Sequence, residues 1–347
     1  MKRRRGDRHR VMRWLWTSRR FDARLTRLSL LPAAMLWRAS TAARTLAYRR
    51  GWLPTRDLPL PAVAVGNLTV GGSGKASLAT WVARYYVAQG LVPGILVPAH
   101  GEQARVHGHG APGALVIADD DLARGAERAR AAGAQVLVLD DAFQRLDVRR
   151  DYNIAVVSAE TSRAVEWPLP AGPWREGWDA LARADALVVT RKRATGAAAL
   201  ELAERLRPLV QGPVAVVSLG LRELEGLVSG RRVPAGTLAG KRVVAASALA
   251  DPDAFVAQVK ATGAAVQVAA AWKDPRDFAP EDVAWLARAT RKSDHVVITE
   301  KDAVKLRDRW PNNTPEPYVA VLELDWETGG EAIVAGLDAV VTPVERF

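Results

Sequence analysis

The sequence predicts an α/β chain of two domains: a mostly parallel sheet covered by helices, then a second, smaller α/β domain, with an N-terminal amphipathic helix in front. Three observations predict this. Short apolar runs alternate with helical periods from residue 62 onward, a glycine-rich turn ending in lysine follows the first run, and the first 50 residues interleave arginine with tryptophan and leucine.

The N-terminal stretch opens Met1-Lys2-Arg3-Arg4-Arg5, continues through Trp14, Leu15 and Trp16, and runs from Leu25 to Trp37 with arginines on either side. Residues 1–50 hold 15 Lys/Arg and two Asp/Glu, so a chain of net charge +11 keeps only −2 for residues 51–347. The basicity is therefore an N-terminal device on a nearly neutral body. No apolar run approaches the roughly 18–20 residues that span a bilayer. Arg24, Arg27 and Arg38 break the run that a secretory signal would need. Arginine interleaved with Trp and Leu suits a helix lying in a membrane interface, where anionic lipid attracts the charge. A solvated basic tail or an RNA-binding arm is the alternative, but it rests on the tail alone, so no nucleic-acid partner is expected. The chain has no cysteine, which excludes disulfides, thiolate metal sites and thiol nucleophiles and fits a cytosolic location.

After Pro54–Pro61 the strand candidates are Ala62–Gly66, Gly94–Val97, Ala114–Ala118, Gln135–Leu139, Ile154–Ser158 and Ala186–Thr190, with helical stretches at Lys75–Gln89 and Leu122–Ala132. A boundary is expected near Arg191–Thr195, dividing the chain into 1–50, 51–192 and 193–347. The second set comprises Val214–Ser218, Val243–Ser247, Ala265–Ala270, His295–Thr299 and Tyr318–Leu324. Gly220–Pro234 lacks helical periodicity and reads as a β linker.

In sheets of this kind ligands sit at the carboxyl ends of strands, and two motifs fall there. The first is Thr69-Val70-Gly71-Gly72-Ser73-Gly74-Lys75-Ala76-Ser77, laid out as a phosphate-binding loop. Backbone N–H groups and a helix N-terminus would cradle phosphate oxygens while Lys75 neutralises them. Against G-x-x-x-x-G-K-[ST], Thr69 replaces the first glycine and Ala76 the hydroxyl residue that would hold Mg²⁺. The first domain is accordingly P-loop NTPase-like. The second motif, Asp140-Asp141, closes an apolar strand, as do the acids that hold Mg²⁺ in nucleotide hydrolases and kinases; Phe143-Gln144-Arg145 follows at once. Two further segments are modest alone. Leu169-Pro170-Ala171-Gly172-Pro173-Trp174-Arg175-Glu176 is a rigid turn ending in an ion pair, and Thr299-Glu300-Lys301-Asp302-Ala303-Val304-Lys305 reads as a solvated charge run.

Taken in order, these four segments resemble the tetraacyldisaccharide 4′-kinase family of lipid A synthesis over about residues 28–325. The resemblance implies transfer of the γ-phosphate of ATP, with Mg²⁺, to the 4′-hydroxyl of a tetraacylated glucosamine disaccharide. It implies a glycolipid substrate reached from the cytoplasmic face of the bacterial inner membrane, where residues 1–50 would dock peripherally. It makes Lys75 the contact to the β/γ-phosphates, gives Asp140 and Asp141 to metal and phosphate, and puts Gln144, Arg175 and Glu176 in the active-site cleft.

The chain also departs from the family pattern. Ala76 stands where Thr or Ser follows the lysine, and Ser77 lies about 100° further round the helix. Ala142 and Arg145 replace Gly and His of Asp-Asp-Gly-Phe-Gln-His, a Gly-Asp-Glu-Pro segment has no match within Ala99–Ala118, and Pro275 occupies the position of a dyad histidine. His100, Glu102, His107, His109 and Asp119–Asp121 are the candidates for a substitute base, although a histidine in such a loop is expected to be solvated. A catalytically inactive relative that binds nucleotide or glycolipid is the alternative reading; an unrelated P-loop ATPase is a third.

Overall fold

A computed structural model describes residues 12, 14–16, 18, 20–99, 103–160, 166–249, 252–272 and 278–342. Residues 1–11 of the basic tail, together with His100, Glu102 and Pro275, lie outside these.

The chain groups into two compact units, one of Leu15–Ser218 with Leu324–Phe347 and one built on Leu219–Glu323. The larger opens with helices α1 (Phe21–Ser29) and α2 (Leu31–Arg49). It continues through β1 (Ala62–Asn67), α3 (Lys75–Ala88), β2 (Pro93–Val97), α4 (Gln103–Gly110), β3 (Leu115–Ala118), α5 (Leu122–Ala131), β4 (Val136–Asp140), β5 (Tyr152–Ser158), β6 (Ala186–Arg191) and α6 (Gly196–Leu206). Strand β7 (Val214–Gly226) then carries the chain into the smaller unit.

Its strands are ordered β3-β2-β4-β1-β5-β6-β7. Every neighbouring pair in that order is parallel. Strands β1, β2, β4 and β5 are buried along their whole length, which explains why they read as continuous apolar runs: helices cover both faces. One face packs Val63, Val65, Val136 and Val138 against Leu78, Val82 and Tyr86 of α3. The opposite face packs Ala62, Ala64, Leu137 and Leu139 against Leu122, Ala126 and Ala129 of α5. Because β1 lies between β4 and β5, its carboxyl end is the switch point where such sheets bind ligands.

The smaller unit adds β8 (Arg232–Pro234), β9 (Arg242–Ser247), α7 (Pro252–Ala261), β10 (Ala265–Ala271), α8 (Pro280–Lys292), β11 (His295–Thr299) and α9 (Glu300–Leu306). Strand β12 (Tyr318–Thr328) leads back to the larger unit, where α10 (Gly330–Val341) ends the described chain. Most of Gly220–Pro234, expected as a linker, is the second half of β7 and its antiparallel partner β8. The closing helix α10 packs Ile333 and Leu337 into the core of the larger unit. The charge run at 299–305 is also more than a solvated surface: Asp302 is fully buried and accepts hydrogen bonds from Thr299 Oγ1 (2.6 Å) and the Ala248 amide (3.1 Å).

Among the described residues no helix is long and apolar enough to cross a membrane. On α1, Phe21, Leu25 and Leu28 share one face at i, i+4 and i+7 and are exposed; on α2, Met35, Leu36 and Leu46 are exposed as well.

Candidate active site

The glycine loop runs from the end of β1 to the first turn of α3. Gly71 (φ 137) and Gly74 (φ 89) take backbone conformations in which a Cβ would be strained. Gly74 is the N-cap of α3, which has neither a side-chain cap nor an acid in its first turn, so its leading N–H groups and positive dipole end remain available to an anion.

Several contacts hold the loop in shape. Val70 N donates to Pro173 O (2.8 Å) and Arg175 N to Leu68 O (2.8 Å). Asn67 Nδ2 donates to Ser73 Oγ (2.8 Å), Thr190 Oγ1 to Ser73 O (2.6 Å) and Lys192 Nζ to Gly72 O (2.9 Å). The turn at 169–176 is thus a brace for the phosphate loop. Thr69 and Ser73 are buried, and Ser73 is held by Asn67 and Thr190; Ala76 and Ser77 are partly buried on α3. Gly66 is required by close approach, since a Cβ there would stand 2.6 Å from the Phe143 amide nitrogen.

Four of the expected residues meet at this loop. Lys75 Nζ lies 3.7 Å from Asp141 Oδ1. Arg175 Nη1 donates to Asp141 Oδ1 (2.8 Å) and Gln144 Oε1 (3.2 Å), and its Nη2 donates to Asp141 Oδ2 (3.3 Å). Gln144 Nε2 in turn donates to Asn67 O (2.9 Å). Asp141 sits at φ 59, a left-handed conformation that Asp tolerates better than most residues. Burial pushes its carboxyl up, but the charge of Lys75 and the bonds from Arg175 outweigh this and hold it below the usual carboxylate range. Helix α2 docks on the same cluster, with Trp37 Nε1 donating to Arg175 O (3.0 Å) and Arg44 Nη2 to Gln144 O (3.0 Å).

Asp140 takes a different environment. Its Oδ2 lies 3.0 Å from His107 Nε2 of α4, and both side chains are fully buried. His107 Nδ1 lies 2.8 Å from Thr80 Oγ1 of α3. Asp140 Oδ1 is buried without a hydrogen-bond partner. A loop histidine expected to be solvated is therefore a core histidine, because residues 103–110 form a helix that carries it under the sheet end.

Four further candidates are engaged by neighbouring residues. Glu176 accepts from Arg183 Nη2, and Arg183 also stacks over the Phe143 ring at 5.0 Å. Asp119 pairs with Arg124 (2.6 Å) and Arg128 (3.2 Å). Asp120 accepts from the Ala99 amide (3.0 Å). Asp121 caps α5 and pairs with Arg56 (2.9 Å). Sequence reading missed Thr80, Glu160 and Lys192. Glu160 Oε1 gathers the amides of Lys192 (2.7 Å), Arg193 (2.9 Å) and Ala194 (3.1 Å), fixing the turn from which Lys192 reaches Gly72. Burial opposes the charge of Glu160, but the bonds from Ser158 and these amides lower its pKa to about 2.

A parallel sheet with an uncapped glycine loop at its switch point, a loop lysine and two acids ending the neighbouring strand defines a P-loop phosphotransferase architecture. The model of one family, tetraacyldisaccharide-1-P 4′-kinase (LpxK), matches residues 26–342. The tetraacyldisaccharide 4′-kinase of Geobacter metallireducens is 33% identical over 314 residues, covering 81% of this chain and 90% of its own length. That of Xanthomonas campestris pv. campestris (strain 8004) is 32% identical over 319 residues, with 82% and 87% covered. A crystal structure of LpxK from Aquifex aeolicus in complex with ATP superposes with a TM-score of 0.73 at 24% identity, over 91% of this chain and 99% of that one, and shares the fold. The chain belongs to the tetraacyldisaccharide 4′-kinase family, a family of kinases of lipid A biosynthesis.

Proposed function

We propose that this chain transfers the γ-phosphoryl group of ATP to the 4′-hydroxyl of a tetraacyldisaccharide lipid A precursor, with Mg²⁺, at the cytoplasmic face of the bacterial inner membrane. The observation that carries the reading is the gathering of Lys75, Arg175, Asp141 and Gln144 at the uncapped N-terminus of α3. Phosphoryl transfer asks little covalent chemistry of the protein and much positioning and charge stabilisation. Two cations held by one carboxylate beside free amides suit a polyphosphate: Asp141 fixes the directions of Lys75 and Arg175 and leaves net positive charge for phosphate oxygens.

Asp140 fits a divalent cation, since its Oδ1 is a buried acceptor with no partner, a state that costs about 1–3 kcal/mol unless a ligand fills it. Asp141, with both oxygens engaged by Arg175, serves as the aligner of the cations. Among the described residues no group of three or more His, Cys, Asp or Glu could hold a metal alone. A cation here would be held by Asp140 and would supply neutralisation of phosphate charge. The exposed apolar face of α1 and α2, in a segment of net charge +13, supports docking on an anionic membrane that displays the glycolipid.

The inactive-relative reading is favoured by four lost positions: Ala76 at the hydroxyl position of the loop, Arg145, Pro275 and the unmatched Gly-Asp-Glu-Pro segment. The deciding experiment is transfer of labelled γ-phosphate from ATP to purified tetraacyldisaccharide 1-phosphate in detergent micelles. Transfer by the wild type that disappears in Lys75→Ala supports the kinase; nucleotide binding without transfer assigns the chain to the inactive reading.

A further inference from the structure

We infer that His107, held by Thr80, is a positioning residue for Asp140 in a site whose loop lysine is followed by Ala76 and not by a hydroxyl residue. The inference deepens the proposed function and rests on it in treating Asp140 as the cation's protein ligand.

In P-loop proteins the Ser or Thr after the lysine and the strand-end Asp hold the cation together. Ala76 removes the hydroxyl here. Thr80 lies four residues on, one turn further along the same face of α3, and its Oγ1 is 2.8 Å from His107 Nδ1. The imidazole spans the gap, and its Nε2 lies 3.0 Å from Asp140 Oδ2. An ionised carboxylate only accepts, so Nε2 carries a proton and donates it, while Nδ1 shares the second bond with the Thr80 hydroxyl, which can donate or accept. Thr80, His107 and Asp140 then form one continuous chain of bonds.

Two features make this more than a satisfied core histidine. The chain engages Oδ2 alone and leaves Oδ1, equally buried, unpartnered. An unmet buried acceptor is destabilising unless something fills it, and this one ends β4, the strand paired with β1 from which the phosphate loop springs. In addition, both ring nitrogens of His107 are engaged inside the fold, by Asp140 and by Thr80, which leaves neither to act as the base for a lipid hydroxyl. Its action goes through Asp140, in the manner of partners that orient metal-binding carboxylates and whose loss costs about 10–100-fold in metal affinity.

The test compares His107→Gln with His107→Asn. The Gln amide reaches the Nε2 position and can donate to Asp140. The Asn amide matches Nδ1 and stops short. Each full-length variant is titrated with adenylyl imidodiphosphate, once with Mn²⁺ and once with EDTA, and bound Mn²⁺ is recorded by electron paramagnetic resonance. The expected result is Mn²⁺-enhanced nucleotide affinity in the wild type, largely kept in Gln and reduced about tenfold or more in Asn, with EDTA affinities equal within about twofold. The Mn²⁺ signal should change in Asn and not in Gln.

Equal enhancement in Gln and Asn, or an equal loss of affinity with and without metal, overturns the positioning role. Thr80→Val provides a second reading should Asn fail to fold: it keeps the shape, frees the ring to turn, and should lower the enhancement several-fold; unchanged enhancement there likewise overturns the inference. A wild type whose nucleotide affinity ignores Mn²⁺ is a separate outcome, which removes the metal role of Asp140 and with it the reading on which the inference rests.

Discussion

Asp140 ends β4 with a side chain buried to zero exposure and bonded to a histidine, whereas Asp141, one residue on, is 19% exposed and faces Lys75 and Arg175. The two are the same residue type at the same strand end, and their environments divide them. The inward Asp140 has one oxygen fixed and one unpartnered. The outward Asp141 has its oxygens taken by cations, and its backbone is turned to φ 59. An acidic pair at a strand end is therefore not automatically a pair of metal ligands; neighbours brought from 30 or more residues away decide which acid is left with a free acceptor.

Removing the lysine that Asp141 aligns breaks the comparison most severely. Lys75→Ala is expected to lower transfer on the order of 10³-fold or more, because charge stabilisation at a developing phosphoryl oxygen is lost in a site built for it. Single-turnover kinetics reads the loss; a drop of less than tenfold would place the chemistry elsewhere.

The backbone beneath both acids comes next. Gly66→Ala brings a Cβ to within 2.6 Å of the Phe143 amide, and either β1 or the 140–143 turn must move. Urea denaturation should show a loss of about 3 kcal/mol. Retained stability would mean that this turn is not held as tightly as the contact implies.

Glu160 sharpens the contrast as a third strand-end carboxylate, one that gathers three backbone amides and the Ser158 hydroxyl. Its folded pKa is about 2 against an ordinary 4.5. The group is depressed, so its contribution is fully present above pH 4.5 and is lost as pH falls from 4.5 towards 2. Glu160→Gln should cost about 2 kcal/mol at pH 7. The gap to the wild type should close progressively below pH 4.5. A gap that widens on acidification would contradict the assignment.

The outward side leads to α2, which donates to the carbonyls of Arg175 and Gln144 and carries the exposed Leu36. Substituting Phe21 and Leu36 with Ser should weaken binding to anionic vesicles by about tenfold for each side chain while leaving the melting temperature unchanged. Sedimentation with vesicles measures it, and undiminished binding would assign the membrane contact to other residues.

The local motifs at this strand end were legible in the sequence, and the contacts that divide Asp140 from Asp141 were not. Lys75, Asp140 and Asp141 could be found because a glycine loop, a lysine and a strand-end acid are local patterns with a physical cause. Strands β1, β4, β5 and β6 were legible for the same reason, as apolar runs that must be covered on both faces. His107 was hidden because α4 is only eight residues long, carries Gly108 and Gly110, and offers little helical period to read. Its partner lies 33 residues away in the chain. Glu160 and Lys192 escaped because a carboxylate collecting amides leaves no motif, and Asp302 because a run of charges does not say which member turns inward. The partner of Glu176, Arg183, lies seven residues on and carries no motif of its own.

The division of labour between the two acids is tested most directly by phosphoryl transfer to the glycolipid in Asp140→Asn and Asp141→Asn, measured side by side across a range of Mg²⁺ concentrations. If Asp140 serves the cation and Asp141 aligns Lys75 and Arg175, the Asp140 variant recovers a large part of its rate as Mg²⁺ rises, and the Asp141 variant stays low at every concentration. Equal recovery in both, or recovery only in the Asp141 variant, would contradict the account.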